Sequence, residues 1–131
     1  MDLTLRTIPL LHESDPILKK EPVYWDFDAN PDPKRMHLVM LENMVAHHGL
    51  GLSANQIGMP VKVFAMRVDD SDHAIVCFNP KITEESDEKV MMKEGCLSYP
   101  SLYLNVRRPA ELWVKYQNCL LYTSDAADDG E

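Results

Sequence analysis

The chain has 131 residues, 45% of them apolar, which is enough to fill one core and too short for two domains. A formal net charge of −8 denies it the basic field with which a protein holds nucleic acid or an anionic membrane surface. Three irregularly spaced cysteines, Cys77, Cys96 and Cys119, do not form a disulfide framework and point to a reducing compartment. The longest stretch without an acid or base, 43–61, carries His47, His48, Asn55, Gln56 and Pro60 and is too polar for a membrane span. No basic segment followed by an apolar run opens the chain, so a cytoplasmic protein is expected.

In chain order, the segment up to Asp28 is irregular, with a short helix expected from Asp15, Pro16 in its first position and Lys19 and Lys20 near its end. Asn30-Pro31-Asp32-Pro33 reads as a loop ending in an Asp N-cap with Pro next to it. Leu38, Leu41, Val45 and His48 then share one helical face, broadened by Met40 and Met44. This predicts a helix of roughly four turns whose C′ residue is Gly49. After Gly58 and Pro60 the period changes. Val61 to Met66 is predicted as a strand, 69–72 as a polar turn, and His73 to Phe78 as the returning strand of a hairpin. Glu84 to Glu88 is expected to be a charged connection, with further strands over Lys89–Lys93 and Glu111–Gln117. The order predicts an α+β domain with a mixed or antiparallel sheet around one internal helix. Residues 119–131 start apolar and end acidic without a period, which reads as a frayed terminus. Four of its acids, Asp125, Asp128, Asp129 and Glu131, account for half of the net charge.

Two segments could carry chemistry. In Gly49-Leu50-Gly51-Leu52-Ser53-Ala54-Asn55-Gln56-Ile57-Gly58, small residues let an extended peptide pass close to the backbone, and Gln56 offers a neutral amide donor. Read alone, the segment is also an ordinary glycine-capped turn into a strand. It is no dinucleotide fingerprint, which opens a helix after a strand, and no Gly-Lys-Ser/Thr follows to make a Walker loop. In Glu94-Gly95-Cys96-Leu97-Ser98, a thiolate after a glycine is placed to bind a metal, and the Leu97 N–H can point at an oxyanion. Read alone, Cys96 is also an ordinary buried structural thiol, while a nucleophile with His47 or His48 as base ranks well below the metal ligand because nothing in the sequence orients such a histidine. The five histidines form no H-x-x-x-H pair and no Cys-x-x-Cys occurs, so Cys96 has no local partner ligand.

Together the two segments resemble peptide deformylases. GLGLSANQ at 49–56 is similar to the family's GxGLAAxQ, with Ser53 in place of an alanine, and EGCLS at 94–98 matches the second motif letter for letter. The spacing of about forty residues and the HESDPIL segment at 12–18 are also similar, and the resemblance runs from about Leu3 to Asn118. It implies a hydrolase that removes the formyl group from the initiator methionine of nascent polypeptides, with N-formylmethionyl peptides as partners, possible work beside the ribosome, and neither nucleic acid nor membrane bound directly. It further implies Cys96 as ligand of a divalent metal, Fe(II) first, with zinc, nickel or cobalt as substitutes. Leu97 and Gln56 would be the catalytic oxyanion donors, Leu50 and Gly51 would bind substrate, and Glu94 would order the site.

The family's third motif, HExxH, which brings the other two metal ligands and the proton-handling glutamate, does not occur in this sequence. The expectation is therefore that 1–118 is the N-terminal part of a single deformylase domain lacking its C-terminal HExxH helix, and that 119–131 is a non-native tail, similar to a translated sequencing adapter. Such a chain is expected to be inactive and to leave the helix over 33–48 partly uncovered. The alternatives are a non-catalytic formyl-peptide-binding protein and a hydrolase that uses Cys96 as its nucleophile.

Overall fold

The computed structural model describes residues 3–30, 32–68, 73–96, 99–109, 112–120 and 123–128; for 90–96, 99–109, 112 and 123–128 it describes the backbone alone. The expected turn at 69–72 lies outside these residues.

Two aspartates start the helical segments. Asp15 accepts from Ile17 N at 3.0 Å and opens a single 3-10 turn, Pro16–Lys19. Asp32 accepts from Arg35 N at 3.1 Å and caps helix α1, Pro33–Ala46, with Pro33 where no N–H is needed. The far end differs from expectation. Helix α1 stops at Ala46, and His48, not Gly49, takes the left-handed position with φ 56°. His48 N donates to Val45 O and Gly49 N to Met44 O, both at 3.0 Å, which is a Schellman closure with a histidine at C′. His47, the cap residue, is tied by its ring Nε2 to Ile8 O at 2.7 Å.

The buried face of α1 also differs. Met36, Val39, Met40, Asn43 and Met44 face the core, whereas Leu38 and Val45 are 47% and 55% exposed. The helix carries apolar residues on both sides, and the inward side is chosen by Asn43, whose fully buried amide holds the N-terminal segment. Its Oδ1 accepts from Ile8 N at 2.6 Å, and its Nδ2 donates to Arg6 O and Val39 O.

Strands β1 (Gly51–Ser53), β2 (Val63–Arg67), β3 (Ala74–Glu85), β6 (Leu112–Gln117) and β7 (Thr123–Asp128) form one sheet in the order β1-β2-β3-β6-β7. β4 (Lys89–Cys96) and β5 (Tyr99–Pro109) form a second, two-stranded sheet. Every neighbouring pair is antiparallel, so the fold is α+β with antiparallel sheets. The β2–β3 hairpin pairs Val63 with Phe78 through Arg67 with Ala74. Beyond Phe78, where the predicted strand ends, β3 continues past Asn79-Pro80 by a register shift to Glu85, so the connection expected over Glu84–Glu88 narrows to 86–88. The frayed terminus expected after Asn118 is likewise ordered in part, since 123–128 pairs with β6 from Gln117↔Thr123 to Leu112↔Asp128. β7 is an edge strand, where polar and charged residues are accommodated.

The core lies between α1 and one face of the larger sheet. Met36, Val39, Met40 and Met44 belong to one buried cluster with Leu52, Val63, Ala65, Val76 and Phe78. Burying side chains of this size stabilises the domain by roughly 1.5–3 kcal/mol each. Trp25 joins from the N-terminal segment, its ring edge-on to Phe78 with centroids 5.3 Å apart. The cluster fixes α1, and thereby the segment that leaves it at residue 49.

Candidate functional site

Residues 49–58 leave α1 and cross to the sheet edge. Gly49 is buried and Leu50 is 79% exposed, the largest apolar exposure among the described residues. In β1, Leu52 points into the core while Gly51 and Ser53 face the other way, the period of a strand with one face covered. Its register with β2 is Gly51↔Met66, Leu52↔Ala65 and Ser53↔Phe64, and Arg67 N donates to Leu50 O at 2.9 Å. A Cβ on Gly51 would sit 3.3 Å from Ala65 O, so the glycine lets β1 lie close to β2. β1 is the end strand of its sheet, with β2 as its neighbour. Its outer side therefore has the geometry that accepts an added extended chain.

The chain then turns through a 3-10 segment, Ala54–Ile57, closed by Gly58 at φ 89°. Gly58 supplies the left-handed conformation there, which glycine adopts without strain. The turn places Gln56, and Ser53 holds it. Ser53 N donates to Gln56 Oε1 at 3.0 Å and Ser53 Oγ lies 3.2 Å from the same oxygen, while Oγ donates to Asn55 Oδ1 at 2.7 Å. With Oε1 accepting from Ser53, the donor end of the amide is defined as Nε2. Gln56 O also accepts from Leu11 N at 2.9 Å, which joins the turn to the N-terminal segment. The contribution of Ser53 is missed by reading the stretch as a glycine motif; its signal was the S-x-x-Q capping pattern at 53–56.

The second segment lies in the other sheet. Glu94 pairs with Leu104 and Gly95 with Tyr103, and Cys96 pairs with Tyr99 after a register shift. Cys96 is thus the last residue of β4, at a strand end as the sequence indicated, and residues 97 and 98 separate it from β5. Leu97 lies outside the described residues, as do the side chains of Glu94 and Cys96. The structure therefore brings Leu50, Gly51, Ser53 and Gln56 into one segment and places the backbone of Glu94 and Cys96 on β4.

Other titratable groups are engaged in the fold. The His47 ring bonds Ile8 O. Cys77 is buried, and burial pushes its thiol up to about 12, so it is a neutral packing group near pH 7. Burial also lowers the pKa of His37, whose Nδ1 is enclosed without a hydrogen-bond partner. Among the described residues no three His, Cys, Asp or Glu side chains are grouped so as to hold a metal ion, and no helix is long and apolar enough to cross a membrane.

Comparison with known proteins gives the family and the fold. Residues 8–126 match the family model for polypeptide deformylase. A peptide deformylase of Bartonella henselae is 38% identical over 115 residues, 84% of this chain and 64% of that protein. One of Rhizobium meliloti is 38% identical over 113 residues, 82% of this chain and 63% of its own length. The chain thus spans a little under two thirds of these relatives. Among solved structures, a peptide deformylase from Thermotoga maritima superposes with a TM-score of 0.83 at 28% identity, over 95% of this chain and 83% of that one. A class I type b deformylase from Acinetobacter baumannii shares the fold, with a TM-score of 0.88 at 24% identity over 95% of this chain and 85% of that one.

Proposed function

Because the chain belongs to the polypeptide deformylase family, we propose that it recognises the N-formylmethionyl ends of nascent polypeptides and serves their deformylation, a hydrolysis that yields formate and a free amino terminus. The observation that carries this reading is the edge strand β1, with Gly51 packed close to β2 and Gln56 anchored by its oxygen just beyond. A formyl-peptide laid along β1 would meet the Gly51 backbone, place its methionine side chain against Leu50, and direct its formyl oxygen at the Gln56 Nε2 donor. The Leu97 N–H would be the second donor, and Glu94 would order that end of the site. Neutral donors aimed at an oxygen that becomes negative stabilise the tetrahedral state more than the ground state. Nascent chains emerging from ribosomes in the cytoplasm are the matching partners.

Cys96 is the residue we assign to a divalent ion, Fe(II) first among the candidates, with zinc, nickel and cobalt as substitutes. The donor set of these 131 residues does not complete such a site. HExxH does not occur in the sequence, and one thiolate does not hold a metal that needs three protein ligands. We therefore assign to this polypeptide by itself the recognition of formylated peptides, without efficient turnover. The test is formate release from formyl-Met-Ala-Ser with Fe(II) or Ni(II) supplied. Release no faster than that of the metal alone is expected, and turnover at ordinary enzyme rates of about 1–1,000 per second would overturn the assignment.

A further inference from the structure

We infer that Ser53 is a positioning residue for the Gln56 amide, an assignment that rests on the proposed function in taking Gln56 as the donor to the formyl oxygen. Gln56 Oε1 lies within reach of two donors of the same residue, the Ser53 N–H at 3.0 Å and the Ser53 hydroxyl at 3.2 Å. The backbone bond alone can be made by any residue other than proline, including the alanine that the similar motif carries here. The hydroxyl is what serine adds. Its single proton is shared between Gln56 Oε1 and Asn55 Oδ1, the latter at 2.7 Å. A terminal amide torsion is intrinsically broad and two-fold, so a second donor on Oε1 narrows the orientations in which Nε2 is presented. Donors on the oxygen of an amide also draw electron density from its nitrogen, which makes the N–H bonds better donors. Ser53 is half-buried, so water competes with this contact less than on an open surface.

The experiment uses the 131-residue chain labelled with nitrogen-15 and the variants Ser53→Ala, Ser53→Thr, Gln56→Ala and Ser53→Ala/Gln56→Ala. In the peptide-free protein, Ser53→Ala is expected to move the Gln56 side-chain amide signals, and Ser53→Thr, which keeps the hydroxyl, to leave them near their wild-type positions. In titrations with formyl-Met-Ala-Ser, Ser53→Ala is expected to weaken binding about twofold to threefold, the lower end of the worth of one hydrogen bond, since the hydroxyl proton is shared with Asn55 Oδ1. The same change should cost nothing further once Gln56 is alanine. Unmoved Gln56 signals in Ser53→Ala, or a binding loss that persists in the double variant, would overturn the positioning role while leaving the proposed function standing. If wild type does not bind the formyl-peptide, or Gln56→Ala binds it as tightly as wild type, the reading of Gln56 fails and the role of Ser53 falls with it. The peptide-free spectra tell these cases apart.

Discussion

Asn79 holds Trp25 by both backbone groups: Oδ1 accepts from Trp25 N at 2.6 Å and Nδ2 donates to Trp25 O at 2.9 Å. Asn79 does so from a left-handed backbone position, φ 53°, next to the register shift in β3. The side chain thus serves as a strand partner for a segment that has none in the sheet, and keeps the Trp25 ring against Phe78. Asn79→Ala should leave two backbone groups unpaired and put a Cβ residue without a local hydrogen bond at positive φ. A loss of about 3 kcal/mol is expected from urea unfolding. Asn79→Gly relieves the backbone strain only, so it should lie between the two. A loss below about 1 kcal/mol for Asn79→Ala would show that the clamp contributes little.

His48 sits at the C′ position of α1 at φ 56°, where glycine is the usual occupant. Its ring is exposed, and the two closing hydrogen bonds are made by backbone groups. His48→Gly should therefore raise stability by about 1 kcal/mol, and His48→Val should lower it by at least as much. Thermal unfolding of the two variants in parallel checks the sign. Equal midpoints for both would mean that the backbone there is not left-handed in solution.

A buried thiol and a half-buried imidazole contribute to the pH dependence of stability at opposite ends. Cys77 ionises at about 12 when folded against 9.0 ordinarily, so the unfolded thiol loses its proton first and stability falls as pH rises from about 9 through 12. His37 is shifted the other way. Its folded pKa lies below 6.5, so the unfolded ring takes up a proton first and stability falls as pH drops below 6.5. Urea midpoints from pH 5 to 11 should form a plateau with both limbs, with Cys77→Ala flattening the alkaline limb and His37→Gln the acid one. Unchanged limbs in the variants would locate the titration elsewhere.

Local chemistry made part of this structure legible in the sequence. Asp32-Pro33 announced the start of α1, and the β2–β3 hairpin followed from its apolar runs. The glycine-rich stretch read as a turn into a strand, which Gly58 closes, and the family motif drew attention to Gln56. What was illegible depends on tertiary partners. Leu38 and Val45 form as regular an apolar stripe as Met36, Val39 and Met40, and the buried stripe is the one that carries Asn43, a polar residue holding Ile8 and Arg6. Asn79-Pro80 reads as the end of a strand, yet β3 continues because Asn79 supports Trp25 and the register shift absorbs the proline. β5 went unread because Pro100 and Pro109 punctuate it, although Leu102, Leu104 and Val106 alternate at the period of a strand. At the site, family resemblance indicated Gln56, but two contacts on its amide oxygen come from Ser53, the residue by which this chain departs from the motif.

The central claim is that the edge at β1 and the amide of Gln56 recognise a formylated amino terminus. Calorimetric titration of the 131-residue chain with formyl-Met-Ala-Ser and, separately, with Met-Ala-Ser tests it most directly. The formyl-peptide is expected to bind about tenfold more tightly, since the unformylated peptide lacks the formyl carbonyl for Gln56 and brings a charged amine in its place. Equal affinity for the two peptides, or no binding of either, would contradict the account.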